Sequence, residues 1–128
     1  MTAGTPLTPL MIGTLSAETM RQWSKFLDDP NPIHLDPVAV AAIGLGNRVI
    51  SQGPANLAYV INCIMANFPG QRIERLETRF ADNVFAGDVA RAEGTVTAVE
   101  GNRTHCEVWL EIEGRGRAIV CNATIVRD

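Results

Sequence analysis

The run from Pro54 to Asn67 is apolar on nearly every side: Ala55, Leu57, Ala58, Val60, Ile61, Ile64 and Met65, with Phe68 just beyond. A helix that is apolar all round has to be buried by other structure. Proline suits the first helical turn, and Pro69-Gly70 cannot continue a helix, so the pattern predicts one helix over 54–67. Asn56, Tyr59 and Asn62 interrupt it and need partners wherever they are buried. The C-terminal half of the chain can supply the cover. Long strands are predicted over 72–82, 89–99, 103–113 and 117–127, with turns at 84–88, Glu100-Gly101-Asn102 and Gly114-Arg115-Gly116. In the third of these, Cys106, Val108, Leu110 and Ile112 alternate with Glu107, Trp109, Glu111 and Glu113. In the last, Ala118, Val120, Asn122, Thr124 and Val126 share one side. A buried helix followed by a meander of long antiparallel strands predicts an α+β fold.

The first third of the chain reads differently. Residues 1–8 carry three threonines and one proline and are expected to form a loose arm, and Leu10-Met11-Ile12-Gly13 a short strand. Ser16 is a suitable N-cap for a helix over 17–28, with Met20, Trp23, Phe26 and Leu27 at helical spacing. Pro30 is expected to end that helix. The stretch Asp28-Asp29-Pro30-Asn31-Pro32-Ile33-His34-Leu35-Asp36 then holds one of the two histidines of the chain and three of its fourteen acidic residues. Proline excludes the residue before it from the helical region, so Asp29 and Asn31 are extended and the loop is stiff. Five residues fully extended would span roughly 17 Å, so the loop must fold back for Asp29 and His34 to meet, and Asn31-Pro32 permits this. An acid and an imidazole presented together suit proton transfer; each alone is more simply a solvated acid and a structural histidine. Asp36-Pro37 reads as the cap and first residue of a short helix that stops at Gly44, not as chemistry.

The motif Asp29-x-Asn31-Pro32-x-His34 resembles the D-x-N-P-x-H signature of the MaoC-like, (R)-specific enoyl-CoA hydratase family, and the order of elements agrees along nearly the whole chain. The resemblance implies one hotdog domain over 1–128, a long central helix wrapped by a curved antiparallel sheet. It implies hydration of a trans-2-enoyl-CoA to an (R)-3-hydroxyacyl-CoA, or the reverse dehydration, with Asp29 and His34 catalytic and the Gly53 N–H holding the thioester oxygen. Asn31 and Gln52 would contact substrate, and Arg48, Arg72 or Arg79 would meet coenzyme A phosphates. No metal and no further cofactor are implied, and a homodimer or dimer of dimers is expected. Two positions depart from the family pattern. Gln52 stands where many members have histidine, and Ile61 where many carry a small hydroxyl residue. A hotdog thioesterase would need a carboxylate on the central helix, and 54–67 has none. A non-catalytic acyl-CoA-binding subunit is the other alternative.

Composition narrows the partners. A net charge of −3 argues against nucleic acid. Cys63, Cys106 and Cys121 are an odd number without metal-ligand spacing, which predicts reduced thiols. The N-terminus lacks a signal-peptide pattern and no apolar run approaches a membrane span, so a cytoplasmic location is expected.

Overall fold

Helix α3 (Gly53–Asn67) packs against the inner face of a five-stranded antiparallel sheet. In the computed structural model, which describes residues 1–128, the chain runs β1 (Leu10–Thr14), α1 (Ala17–Leu27), a 3₁₀ turn (Pro32–His34), α2 (Pro37–Ala42), α3, β2 (Arg72–Phe80), β3 (Val89–Glu100), β4 (Arg103–Ile112) and β5 (Gly116–Val126). The strand order is β1-β3-β4-β5-β2, so β1 and β2 are the free edges. A register shift interrupts each of the four strand pairs. Such bulges bend and twist a sheet, and here they curl it around α3. This is the hotdog arrangement.

Alternation sorts the residues of β4 as expected, but in β5 Ala118 and Val126, expected on the side of Val120, Asn122 and Thr124, are buried; the register shift beside Ala118 breaks the two-residue period. Cys106, Val108, Leu110 and Ile112 of β4 and Ile119, Cys121, Ala123 and Ile125 of β5 point inward, against Val60, Cys63 and Ile64 of α3. The set Val120, Asn122 and Thr124 lies on the outer face, where the His105 ring nitrogen Nδ1 stands 3.1 Å from the Thr124 hydroxyl. All three cysteines are free and buried.

Three expectations change. Helix α3 is not buried all round: Ala55, Val60, Cys63 and Ile64 are covered, while Met65 is 41% exposed and Leu57 and Ile61 are half-buried. One curved sheet covers only one side of a helix, so the other side faces outward in a single chain. The N-terminal arm is not loose. Gly4 N–H bonds to Val96 O, Leu7 N–H to Gly94 O and Val96 N–H to Thr5 O, at 2.7–2.9 Å. Strand β1 pairs with β3 only along residues 89–92, and the arm takes up the unpaired edge beyond it. Gly94 makes room for this, since a Cβ there would lie 2.9 Å from Leu7 Cδ1 and 2.8 Å from Glu107 O. Finally, Phe26 of α1 is 81% exposed, whereas Met20 and Ser24 are buried. No helix is long and apolar enough to cross a membrane.

Candidate active site

Helix α1 delivers the first functional side chain. Ser16 caps it, accepting the Thr19 N–H at 3.0 Å. It ends at Leu27, earlier than Pro30 requires, because Asp28 adopts the left-handed conformation (φ 50°) and turns the chain out of the helix. The Asp29 N–H then bonds back to Ser24 O at 2.9 Å. Two side chains fold the adjoining loop. Asp29 Oδ1 accepts the Asn31 N–H at 3.1 Å, and Asn31 Oδ1 accepts the Ile33 N–H at 3.2 Å, capping the 3₁₀ turn. These are turns in which a short polar side chain replaces a backbone carbonyl. They bring Asp29 Oδ2 to 3.3 Å from His34 Nε2. His34 is buried at 8% exposure, while the Asp29 side chain is 38% exposed, so the pair opens outward on the acid's side.

The other imidazole nitrogen decides the tautomer. His34 Nδ1 lies 2.7 Å from the carbonyl oxygen of Ile50. A carbonyl only accepts, so Nδ1 carries the proton and donates it. Neutral His34 therefore turns a lone pair on Nε2 toward a carboxylate. Two acceptors need a shared proton, supplied by an imidazolium or by a water donating to both. The Ile50 carbonyl is itself held, because the Ile50 N–H bonds to Ile33 O at 2.8 Å.

Gly53 begins α3 three residues after Ile50. Its N–H has no acceptor within the chain, Pro54 has no N–H, and the Ala55 N–H is also unpaired; the first bond belongs to Asn56, which donates to Gln52 O at 3.1 Å. The positive end of α3 thus presents free donors to an anion or a polarised oxygen. The ring of Phe80, at the end of edge strand β2, lies over Gly53, where a Cβ would stand 3.3 Å from Cε1. Buried Asn56 is served by Ser51, whose hydroxyl donates to Asn56 Oδ1 at 2.7 Å.

The remaining expected contacts divide. The Asn31 oxygen caps the turn. Gln52 is fully buried, so the expected substrate contact is corrected to an internal one: its amide donates to Met20 O and to Ser24 Oγ, at 2.8 and 2.9 Å. The Arg48 guanidinium is taken up by Asp88 Oδ1 and Ala86 O, each at 3.1 Å, over the ring of Phe85. Arg72 pairs with Asp128 at the start of β2. Phe80, beside Gly53, is eight residues further along that strand, roughly 26 Å at the rise of a strand, so Arg72 stands well away from the reacting end. Arg79, next to Phe80, is exposed and makes no ion pair.

Sequence reasoning missed Ser24, the Ile50 carbonyl and Asp88. Asp88 is a buried hub: Oδ2 accepts the Phe85 N–H and an Arg115 nitrogen at 2.8 and 2.7 Å, and Oδ1 takes Arg48. It steadies segment 84–86, to which 49–51 is bonded through Ser51 N–H to Val84 O and Ala86 N–H to Val49 O. Nothing in the local pattern singled out Asp88, because its arginine partners lie 27 and 40 residues away.

Comparison with known proteins yields one family match, to the MaoC like domain, over residues 4–113. Solved structures with the same fold include the (R)-hydratase from A. caviae involved in PHA biosynthesis, at 22% identity and a TM-score of 0.88, covering 100% of this chain and 98% of that one. The R-hydratase PhaJ1 from Pseudomonas aeruginosa matches at 19% identity and 0.87, over 98% and 81%. A chain of the ChsH1-ChsH2 complex from Mycobacterium tuberculosis matches at 16% and 0.86, over 98% of both. A search of curated protein sequences finds no match.

Proposed function

Because the chain belongs to the MaoC-like domain family, we propose that it is a hydro-lyase that adds water to trans-2-enoyl-CoA thioesters, giving (R)-3-hydroxyacyl-CoA, or removes water in the reverse direction. The observation that carries this reading is the Asp29–His34 pair at 3.3 Å, with His34 held by Ile50 and the unpaired Gly53 N–H three residues further on.

The chemistry builds on those positions. The carbon β to a thioester is electrophilic because charge can move to the carbonyl oxygen. Water needs a base to attack it, and Asp29 and His34 hold one water between them and take its proton. The hydroxyl joins the β carbon, and the proton returns to the α carbon. The negative charge that develops on the thioester oxygen is stabilised by the Gly53 N–H and the positive end of α3. The residues call for no metal and no cofactor other than the coenzyme A carried by the substrate. Arg79 makes no ion pair, but it stands in register with Val120 on the outer face of the sheet, the face opposite to Phe80, so it is not placed beside Gly53 to meet the phosphates of that carrier.

A second reading, a subunit that works only with a partner chain, draws on the likeness to a chain of the ChsH1-ChsH2 complex. A thioesterase is disfavoured, since α3 carries no carboxylate. Crotonyl-CoA separates the three. Loss of enoyl absorbance with the thioester intact supports the hydratase; release of free thiol indicates a thioesterase; no reaction indicates a binding or partner-dependent subunit. The product should give no signal with an (S)-specific hydroxyacyl-CoA dehydrogenase, and a strong signal would refute the stereochemistry.

A further inference from the structure

Gln52 is a fully buried polar residue whose amide is half satisfied. Its nitrogen faces the Met20 carbonyl and the Ser24 hydroxyl. Turned over, the amide would set oxygen against the Met20 carbonyl oxygen, so the orientation is determined. The other atom, Oε1, is buried with no donor. A buried oxygen left without a partner is unfavourable and calls for a reason. A residue kept only to fill this space would be apolar, as methionine is, and would leave no orphan atom.

The reason lies in what Gln52 joins. It precedes Gly53, the expected donor to the thioester oxygen. Its side chain reaches Ser24, whose own carbonyl accepts the Asp29 N–H at 2.9 Å. A single line of bonds therefore runs from Gly53 through Gln52 and Ser24 to Asp29. On the other side, Ser51 ties the same helix start to Val84 and to Asn56. We propose that Gln52 is a positioning residue that sets the distance between the Asp29 carboxylate and the Gly53 N–H, so that base and oxyanion donor act on one substrate. This rests on the hydratase reading. Two hydrogen bonds lock the amide in one rotamer, which an apolar side chain of equal volume would not do, and displacement of catalytic groups by an ångström can cost about 100-fold in rate.

The test compares wild type, Gln52→Met, Ser24→Ala and the double variant, measuring kcat and KM for crotonyl-CoA hydration together with the folded fraction. Ser24→Ala deletes the hydroxyl but keeps the carbonyl that holds Asp29. Gln52→Met should lower kcat per folded molecule about 10- to 100-fold, with KM within about threefold. Ser24→Ala should lose part of that, and the double variant little more than Gln52→Met alone, since the two act through one bond. Were Gln52→Met too unstable to assay, Ser24→Ala would decide alone: an unchanged kcat overturns the proposal. A lower melting temperature with kcat within twofold of wild type in Gln52→Met also overturns it while leaving the hydratase reading intact. A wild type that hydrates no enoyl thioester fails that reading first, and the role of Gln52 falls with it.

Discussion

His34 donates its Nδ1 proton to the carbonyl of Ile50 at 2.7 Å, and this one bond fixes which nitrogen faces Asp29. It ties an imidazole on a proline-stiffened loop to the chain just before α3. His34 is therefore part of the packing as well as of the proposed chemistry, and the two roles can be separated by mutation.

Asp29→Asn and His34→Ala should each lower kcat by about 10²–10⁴. The double variant should cost little more than the worse single one, because groups that hold one water act as a unit. Stability should separate the two. Asp29 is partly exposed and Asp29→Asn should be nearly neutral, whereas His34→Ala strands the Ile50 carbonyl and should cost about 1–3 kcal/mol. His34→Asn, whose amide nitrogen can occupy the place of Nδ1, should recover much of that stability and none of the activity. Urea unfolding and steady-state kinetics on the same variants check this; full activity in Asp29→Asn would end the mechanism as written.

Asp28 holds a left-handed conformation (φ 50°) at the end of α1 with an L side chain. Asp28→Gly should raise stability by up to about 1 kcal/mol, or about 3–5 °C in Tm, by relieving that conformation. Asp28→Ala should lower it. The same sign for both in a thermal scan would refute the account.

Burial raises the Cys106 thiol from 9.0 to about 11, and burial also raises Cys63 and Cys121. Between pH 9 and 11 the unfolded chain has lost the Cys106 proton while the folded chain keeps it, so stability must fall as pH rises through that window. Cys106 alone should account for about 1 kcal/mol by pH 10. Cys106→Ala should flatten that slope in urea titrations at successive pH values. Native protein at pH 8 should react slowly with a thiol reagent, and unfolded protein at once.

A homodimer, or a dimer of dimers, is expected because β2 is a free edge and α3 leaves Met65 exposed and Ile61 only half-buried on its outer side. Light scattering at micromolar concentration should give at least twice the 13.8 kDa of the chain. A monomer would contradict this, and a stable complex only with a second protein would favour the partner-dependent reading.

Local chemistry made much of this protein legible before any coordinates. The all-round apolar run of α3, the two-residue alternation of β4, the proline pair at 30 and 32 and the Asp36-Pro37 cap each act over a few residues, so residue order alone specifies them. It also placed Asp29 and His34 as candidates; their motif pointed to the family, and that resemblance added Gly53. What only the folded chain decided depends on groups distant in sequence. Gln52 became an internal brace because α1 passes over the start of α3, 28 residues from Ser24 to Gln52. Arg48 became a partner of Asp88, 40 residues away. The arm at 4–7 became ordered because β1 leaves the edge of β3 unpaired. A buried amide or an ion pair is defined by the far element that desolvates it and supplies its partner, and that element is set by how the sheet curls around α3.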